Sequence, residues 1–213
     1  MVHIEKLTLG ALRANCYIVQ CVATRQTAVI DPGLEPEQII ARLHTLGDPP
    51  VVALLATHGH FDHVVGVRAL KQYTNAPFWI SQDEWELLAQ YAHEHPAYLN
   101  LPTMEPLPQP DRFLREGEQF AVGALQFEVL ALRGHAPDHI GFLLKNVHPM
   151  RLFCGDAIFA GSVGRTDIPY ADFETLRQHL HTRVLSLPDD TILHPGHGPD
   201  TTVGVERATN PYL

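Results

Sequence analysis

The sequence predicts an α+β protein, with short extended segments and amphipathic helical stretches mixed along one chain. Two observations carry this prediction. Apolar runs of strand length end repeatedly in polar loops that bear histidine or aspartate. Between those runs lie stretches with apolar residues at helical spacing, bounded by proline and glycine.

Taken in order, residues 2–9 and 15–22 read as extended segments around a turn from Gly10 to Asn15, and a third strand follows through Thr27-Ala28-Val29-Ile30. This opening predicts an antiparallel meander. The third strand stops at Asp31-Pro32-Gly33, where Pro and Gly enforce a turn and leave Asp31 at the strand end. Asp31 there can brace the turn, orient a neighbouring ligand loop, or do both. Residues 36–46 predict a surface helix with Pro36 at its start, Gly47 beyond its end and His44 in solvent. The apolar run Val51 to Ala56 predicts a buried strand, after which Asp62 is placed to open a helix through Leu70.

A short strand at Pro77 to Ile80 and a helix from Ser81 to Tyr91 come next, with Ser81 and Glu84 matching a capping box. The proline-rich span 93–110 reads as a long loop, and His93-Glu94-His95 within it as an exposed helix end. Glu116-Gly117-Glu118 makes a turn between strand-like segments, and Ala124 to Leu130 alternates as a half-buried strand does. Further strands are predicted at 140–144, 151–154 and 191–193, with a helix from about Asp172 to Val184 before the last. The loops after these strands hold His58, His60, Asp62, His63, His135, Asp156 and His197. Loops gathered at one end of a sheet are where binding sites are built.

Composition sets outer limits. The chain has 213 residues and 45% apolar content, enough for one large domain, 1–213, with a sizeable core. Its formal charge is −9, from 24 acidic and 15 basic side chains, and the basic ones are scattered, so nucleic acid is not an expected partner. Met1 to Lys6 has no export pattern, and no run approaches the ~20 apolar residues of a membrane span. Cys16, Cys21 and Cys154 sit in or beside apolar runs and read as buried thiols of a reducing compartment, so Cys16 and Cys21 are not expected to form a metal clip. A cytoplasmic protein without a membrane partner is expected; its oligomeric state is not encoded in any pattern.

The densest chemistry is Thr57-His58-Gly59-His60-Phe61-Asp62-His63. Imidazole and carboxylate suit zinc, iron and manganese, and alternate residues of a loop leaving a strand project to one side, so His58 and His60 can share an ion. Asp62 and His63, past the turn, point to a neighbouring position. Two adjacent divalent ions are therefore expected, zinc foremost.

The H-x-H-x-D-H stretch, Gly134 to His139, Gly155-Asp156 and Pro195-Gly196-His197-Gly198-Pro199 resemble, in order and spacing, the metallo-β-lactamase superfamily over essentially the whole chain. Gly155 to Asp167 is similar to the glyoxalase II (hydroxyacylglutathione hydrolase) branch and its persulfide dioxygenase relatives. The resemblance implies an αβ/βα four-layer sandwich, two mixed sheets face to face with helices outside. It implies His58, His60 and His135 on a first metal, Asp62, His63 and His197 on a second, and Asp156 bridging them. Asp62 and Asp156 would be catalytic, with Asp31 and His139 supporting the ligands. The implied reaction is attack of a metal-held hydroxide on a thioester, S-lactoylglutathione, giving lactate and glutathione.

Two departures qualify the match. The chain ends soon after His197, without the C-terminal helical domain that helps two-domain glyoxalase II enzymes hold glutathione, so Arg165 and Tyr170 become the candidate substrate contacts. Arg165 can alternatively pair Asp167 and brace its loop. Asp138 stands where the family usually has glycine; aspartate tolerates the left-handed backbone expected there, and its carboxylate would lie near the metals or His139. A mononuclear-iron persulfide dioxygenase on His58, His135 and Asp156 and a non-catalytic metal-binding module are the competing functions. A β-lactamase would carry an export signal, and a nuclease a basic surface.

Overall fold

The computed structural model describes residues 1–91 and 106–213; the predicted His93-Glu94-His95 helix end lies outside them. The first sheet runs β1 (Val2–Leu9), β2 (Ala14–Cys21), β3 (Thr27–Ile30), β4 (Val51–Leu55), β5 (Phe78–Ser81) and β6 (Arg112–Leu114) in spatial order. β1, β2 and β3 form the antiparallel meander, and β3 to β6 are parallel. The second sheet has the order β14 (Thr201–Thr202), β13 (Ile192–Pro195), β10 (Arg151–Gly155), β9 (Ile140–Leu144), β8 (Leu125–Ala131) and β7 (Gln119–Val122). It is mixed, because β10 and β13 are parallel while its other neighbours are antiparallel. A small hairpin, β11 (Ile158–Phe159) and β12 (Ser162–Val163), stands apart.

Three cores define four layers. Tyr17, Val19, Ile30, Leu55, Phe127, Phe142 and Phe153 fill the space between the sheets. Each such fully buried side chain contributes roughly 1.5–3 kcal/mol of transfer free energy. Trp79 of the first sheet meets Phe120 of the second edge to face, with centroids 5.4 Å apart, and Phe120 stacks on Phe127. On the outer face of the first sheet, α1 (Pro36–Thr45), α3 (Val67–Thr74) and α4 (Gln82–Tyr91) are packed through Ile39, Leu43, Val67, Leu70 and Leu88. The outer face of the second is covered by α5 (Phe173–His179), its π-helical continuation Leu180–Val184, and α6 (Val203–Thr209), through Leu176, Leu180, Val184 and Val203. The fold is thus the predicted αβ/βα sandwich of two mixed sheets flanked by helices.

Several local expectations change. The helix predicted from Asp62 to Leu70 is two pieces, α2 (Phe61–Val64) and α3, because Gly66 N–H donates to Pro32 O and ties the chain to the Asp31 turn. Its first cap position is His60, so Asp62 lies in the first turn and is free to face the site. Ser81 is the last residue of β5, and its hydroxyl donates to Asp138 O. Cys16 and Cys21 fall on opposite faces of β2, in different cores, which rules out a shared clip; both thiols and Cys154 are free and buried. His44 is exposed and pairs with Asp48.

Candidate metal centre

β3, β4, β8, β10 and β13 all end at one edge of the sandwich, and the polar loops that follow them converge there. Asparagine and tyrosine from the start of β2 hold the last of these loops: Tyr17 Oη donates to Pro195 O at 2.7 Å, and Asn15 Nδ2 donates to Pro195 O and Gly198 O, each at 2.9 Å. The loops after β4 and β8 are joined through Ile140 N–H, which donates to Thr57 O.

The convergence produces two groups of donors. His58, His60, His135 and Asp156 form one; Asp62, His63 and His197 form the other; within each, ligand atoms lie within 4.8 Å of one another. Asp156 reaches both groups, with Oδ1 3.5 Å from His63 Nε2, and Oδ2 3.7 Å from His135 Nε2 and 3.4 Å from His197 Nε2. Four of the imidazoles have their outward nitrogen committed as a donor. His63 Nδ1 donates to Asp31 at 3.2 Å, His135 Nδ1 to Arg165 O at 2.9 Å, and His197 Nδ1 to Leu12 O at 3.1 Å. His58 Nδ1 donates to Thr57 Oγ1, whose own proton goes to Asp31. Each inward Nε2 is left with a bare lone pair in the neutral ring.

These donors fit a metal. Ligands about 2.1 Å from one tetrahedral ion stand about 3.4 Å apart. His63 Nε2 and His197 Nε2 are 3.4 Å apart, His197 Nε2 and Asp62 Oδ2 3.4 Å, and His60 Nδ1 and His135 Nε2 3.1 Å. Buried His58 Nε2 and Asp156 Oδ1 have no hydrogen-bond partner, an arrangement that a cation between them satisfies.

Electrostatics divides the groups in the same way. Burial, aided by neighbouring imidazoles, drives His58 well below the usual histidine range and His60 to about 3, and lowers His135, so the first group presents neutral rings. Burial also disfavours charge at His63 and His197, yet the carboxylates of Asp62 and Asp156 outweigh it and lift them to about 9 and about 10. Reciprocally, and again against the effect of burial, these imidazoles hold Asp62 and Asp156 below the carboxylate range.

The supporting residues fall close by. Asp31, with positive φ at the turn after β3, accepts from Thr57 N–H at 2.8 Å and Thr57 Oγ1 at 2.9 Å as well as facing His63. His139 Nε2 accepts from Asp156 N–H at 3.1 Å. Asp138 corrects the expectation drawn for it: its φ is not left-handed, and its carboxylate pairs with Arg133 rather than with the metal donors or His139. Glu84 is the surprise. Read from sequence as half of a capping box, it is instead buried, with burial pushing its carboxyl up to about 7, and it accepts backbone N–H groups from two ligand loops.

A cavity of about 510 Å³ opens onto the cluster. His60, Asp62, His135, Asp156 and His197 face it, along with Leu12, Phe61 and Phe159. Tyr170 also lines it, with Oη 2.9 Å from His60 Nε2. Arg165 lines it too, but is exposed and grips Asp167 with both Nε (2.8 Å) and a terminal nitrogen (3.1 Å). Leu12 and Phe159 carry no ligand chemistry to mark them in the sequence; they reach the cavity from the turn between β1 and β2 and from the β11–β12 hairpin.

A double-sheet αβ/βα sandwich with a His/Asp cluster at its loop edge defines a class of metal-binding proteins. The chain belongs to the metallo-beta-lactamase superfamily, whose family model matches residues 9–197. It is similar to hydroxyacylglutathione hydrolase GloC of Haemophilus influenzae, with 39% identity covering 99% of this chain and 98% of that one. Among solved structures, TTHA1623 in a di-iron-bound form is 40% identical with a TM-score of 0.86, covering 98% of this chain and 100% of that one. The BLEG-1 B3 metallo-beta-lactamase is 29% identical with a TM-score of 0.90, covering 99% of both.

Among the described residues no helix is long and apolar enough to cross a membrane.

Proposed function

We propose that this protein is a metal-dependent hydrolase of a small thioester such as S-lactoylglutathione. The observation that carries this is the cavity itself, which brings apolar walls and the carboxylates of Asp62 and Asp156 to one place. The similarity to a protein named hydroxyacylglutathione hydrolase supports the substrate class. His58, His60 and His135 would hold one divalent ion, Asp62, His63 and His197 a second, with Asp156 shared between them. Zinc suits this nitrogen and oxygen donor set, as do iron and manganese, and the di-iron form of a relative supports iron.

Bound there, such ions would supply a hydroxide nucleophile near neutral pH and positive charge for the substrate carbonyl oxygen. Asp62, kept ionised beside His63 and His197, faces the cavity and can orient the attacking water by accepting its hydrogen. Asp156 is held in place by its own N–H on His139. Hydrolysis forms a C–O bond from water and breaks the C–S bond, releasing a carboxylic acid and a thiol, and it needs no serine or cysteine nucleophile. Tyr170 steadies His60 and offers a phenol to the substrate along the cavity wall. Arg165 braces the loop whose carbonyl receives His135 Nδ1, and it meets a substrate carboxylate only by exchanging Asp167 for it.

The test is an assay on metal-replete protein with S-lactoylglutathione, following thiol release, beside glutathione persulfide with oxygen uptake monitored. Thiol release without oxygen uptake, abolished by His58→Ala combined with Asp156→Ala, supports the hydrolase. Persulfide-dependent oxygen uptake with one iron per chain would replace it with a dioxygenase.

A further inference from the structure

Glu84 is fully buried at the start of α4, and its two carboxylate oxygens are divided between two loops. Oε2 accepts from Gly59 N–H at 2.9 Å, and Oε1 accepts from Asp138 N–H at 2.8 Å. Gly59 lies between His58 and His60; Asp138 lies in the loop between His135 and His139. Ser81, three residues earlier, completes the grip by donating from Oγ to Asp138 O at 2.8 Å. The approach to the first loop is close: a Cβ on Gly59 would stand 2.9 Å from Glu84 O and 3.0 Å from Leu88 Cγ.

Among the described residues no basic side chain forms an ion pair with Glu84. A buried carboxylate without a cation is costly, and an apolar residue would fill the same corner at less cost. What a carboxylate alone provides is two equivalent acceptors on one rigid plane. A glutamine in its place has one acceptor oxygen, and its NH₂ would confront the other backbone N–H.

We propose that Glu84 is a positioning residue for the metal site, locking the His58–His60 loop to the His135 loop so that their three imidazoles meet at one ion. The distance it controls is the one between His60 Nδ1 and His135 Nε2, 3.1 Å across the two loops. The inference rests on metal binding by this cluster and is independent of which substrate is cleaved.

The experiment compares zinc affinity of unsubstituted protein and Glu84→Gln, by competition with a chromophoric chelator, and the visible spectrum of each after cobalt(II) substitution. Thermal melts of the metal-free forms run alongside. Partners that orient metal ligands typically cost about 10–100-fold in affinity when removed. A loss of that size at one ion, with an altered cobalt spectrum, is expected for Glu84→Gln. Unchanged affinity and spectrum overturn the proposal whatever happens to the melting temperature, since a merely structural role would move the melt alone. Should Glu84→Gln fail to fold, Ser81→Ala decides, because it removes a single bond of the same grip: an altered cobalt spectrum upholds the proposal and an unaltered one overturns it. Absence of zinc and cobalt binding by the unsubstituted protein would overturn the metal site and this inference together.

Discussion

His63 Nδ1 lies 3.2 Å from the Asp31 carboxylate, and the same carboxylate takes the Thr57 hydroxyl proton, so that one buried acid governs the tautomers of both His63 and His58. The two imidazoles belong to different donor groups. Asp31 is therefore placed to tune both at once.

Replacing Asp31 by alanine is expected to strip both rings of their orientation and to leave Thr57 N–H unpaired in the interior. Metal affinity should fall about 10–100-fold, and the metal-free protein should lose about 1–3 kcal/mol for the unpaired donor. Metal content after a fixed chelator challenge and a urea melt check the two parts. Retention of metal at the unsubstituted level would show that Asp31 only shapes its turn.

Gly196 offers a sharper steric probe. A Cβ there would lie 2.0 Å from Asp156 Oδ1 and 2.8 Å from His63 Cε1, inside the cluster and between its two groups. Gly196→Ala must displace Asp156, and a displacement near 1 Å in an active site costs on the order of 100-fold in rate. Steady-state hydrolysis by metal-replete Gly196→Ala, with circular dichroism to confirm folding, measures it; full activity would place the reacting groups elsewhere.

Much of the site was legible because ligand chemistry concentrates in sequence. Five of the seven donors sit in loops that follow apolar strands, and Asp62 and His63 in the short helix α2 that follows one; segments leaving the strand ends on one edge of the sandwich are brought together there. The sandwich itself came from the resemblance rather than from periodicity, since short buried strands carry little pattern. What stayed hidden depends on contacts between distant segments. Ser81 and Glu84 satisfy the local spacing of a capping box, but tertiary packing turned both toward the loop at Asp138. Asp138 looked anomalous only by comparison with the family's glycine; its backbone is ordinary and Arg133 takes its charge.

Removing the metals should cost stability as well as activity. A ligand bound to the native state at a thousandfold excess over its Kd contributes about 4 kcal/mol. For a chain of this length each kcal/mol shifts Tm by about 2–4 °C, so chelation should lower it by roughly 8–16 °C. Calorimetry with and without chelator, followed by zinc re-addition, tests this. A melting temperature indifferent to chelator would mean that the cluster holds no ion tightly in the folded state.

Asp200 gives a pH dependence remote from the cavity. Burial tends to raise its carboxyl, but hydrogen bonds from His194 Nδ1 and Lys6 Nζ, both at 2.9 Å, prevail and hold it at about 2. A carboxyl depressed in the folded state contributes stability that is fully present above its unfolded value of about 3.9 and is lost as pH falls through the folded value. Asp200→Asn removes that contribution at every pH, so the substituted protein should be less stable at pH 7 and the gap should close as acid protonates Asp200 in the parent. Other carboxylates titrate in both proteins and cancel in the difference. Urea unfolding of the pair at steps from pH 7 to pH 2 reads it directly; a gap that stays constant across that range would mean that the Lys6–Asp200–His194 contacts stabilise the fold through packing rather than charge.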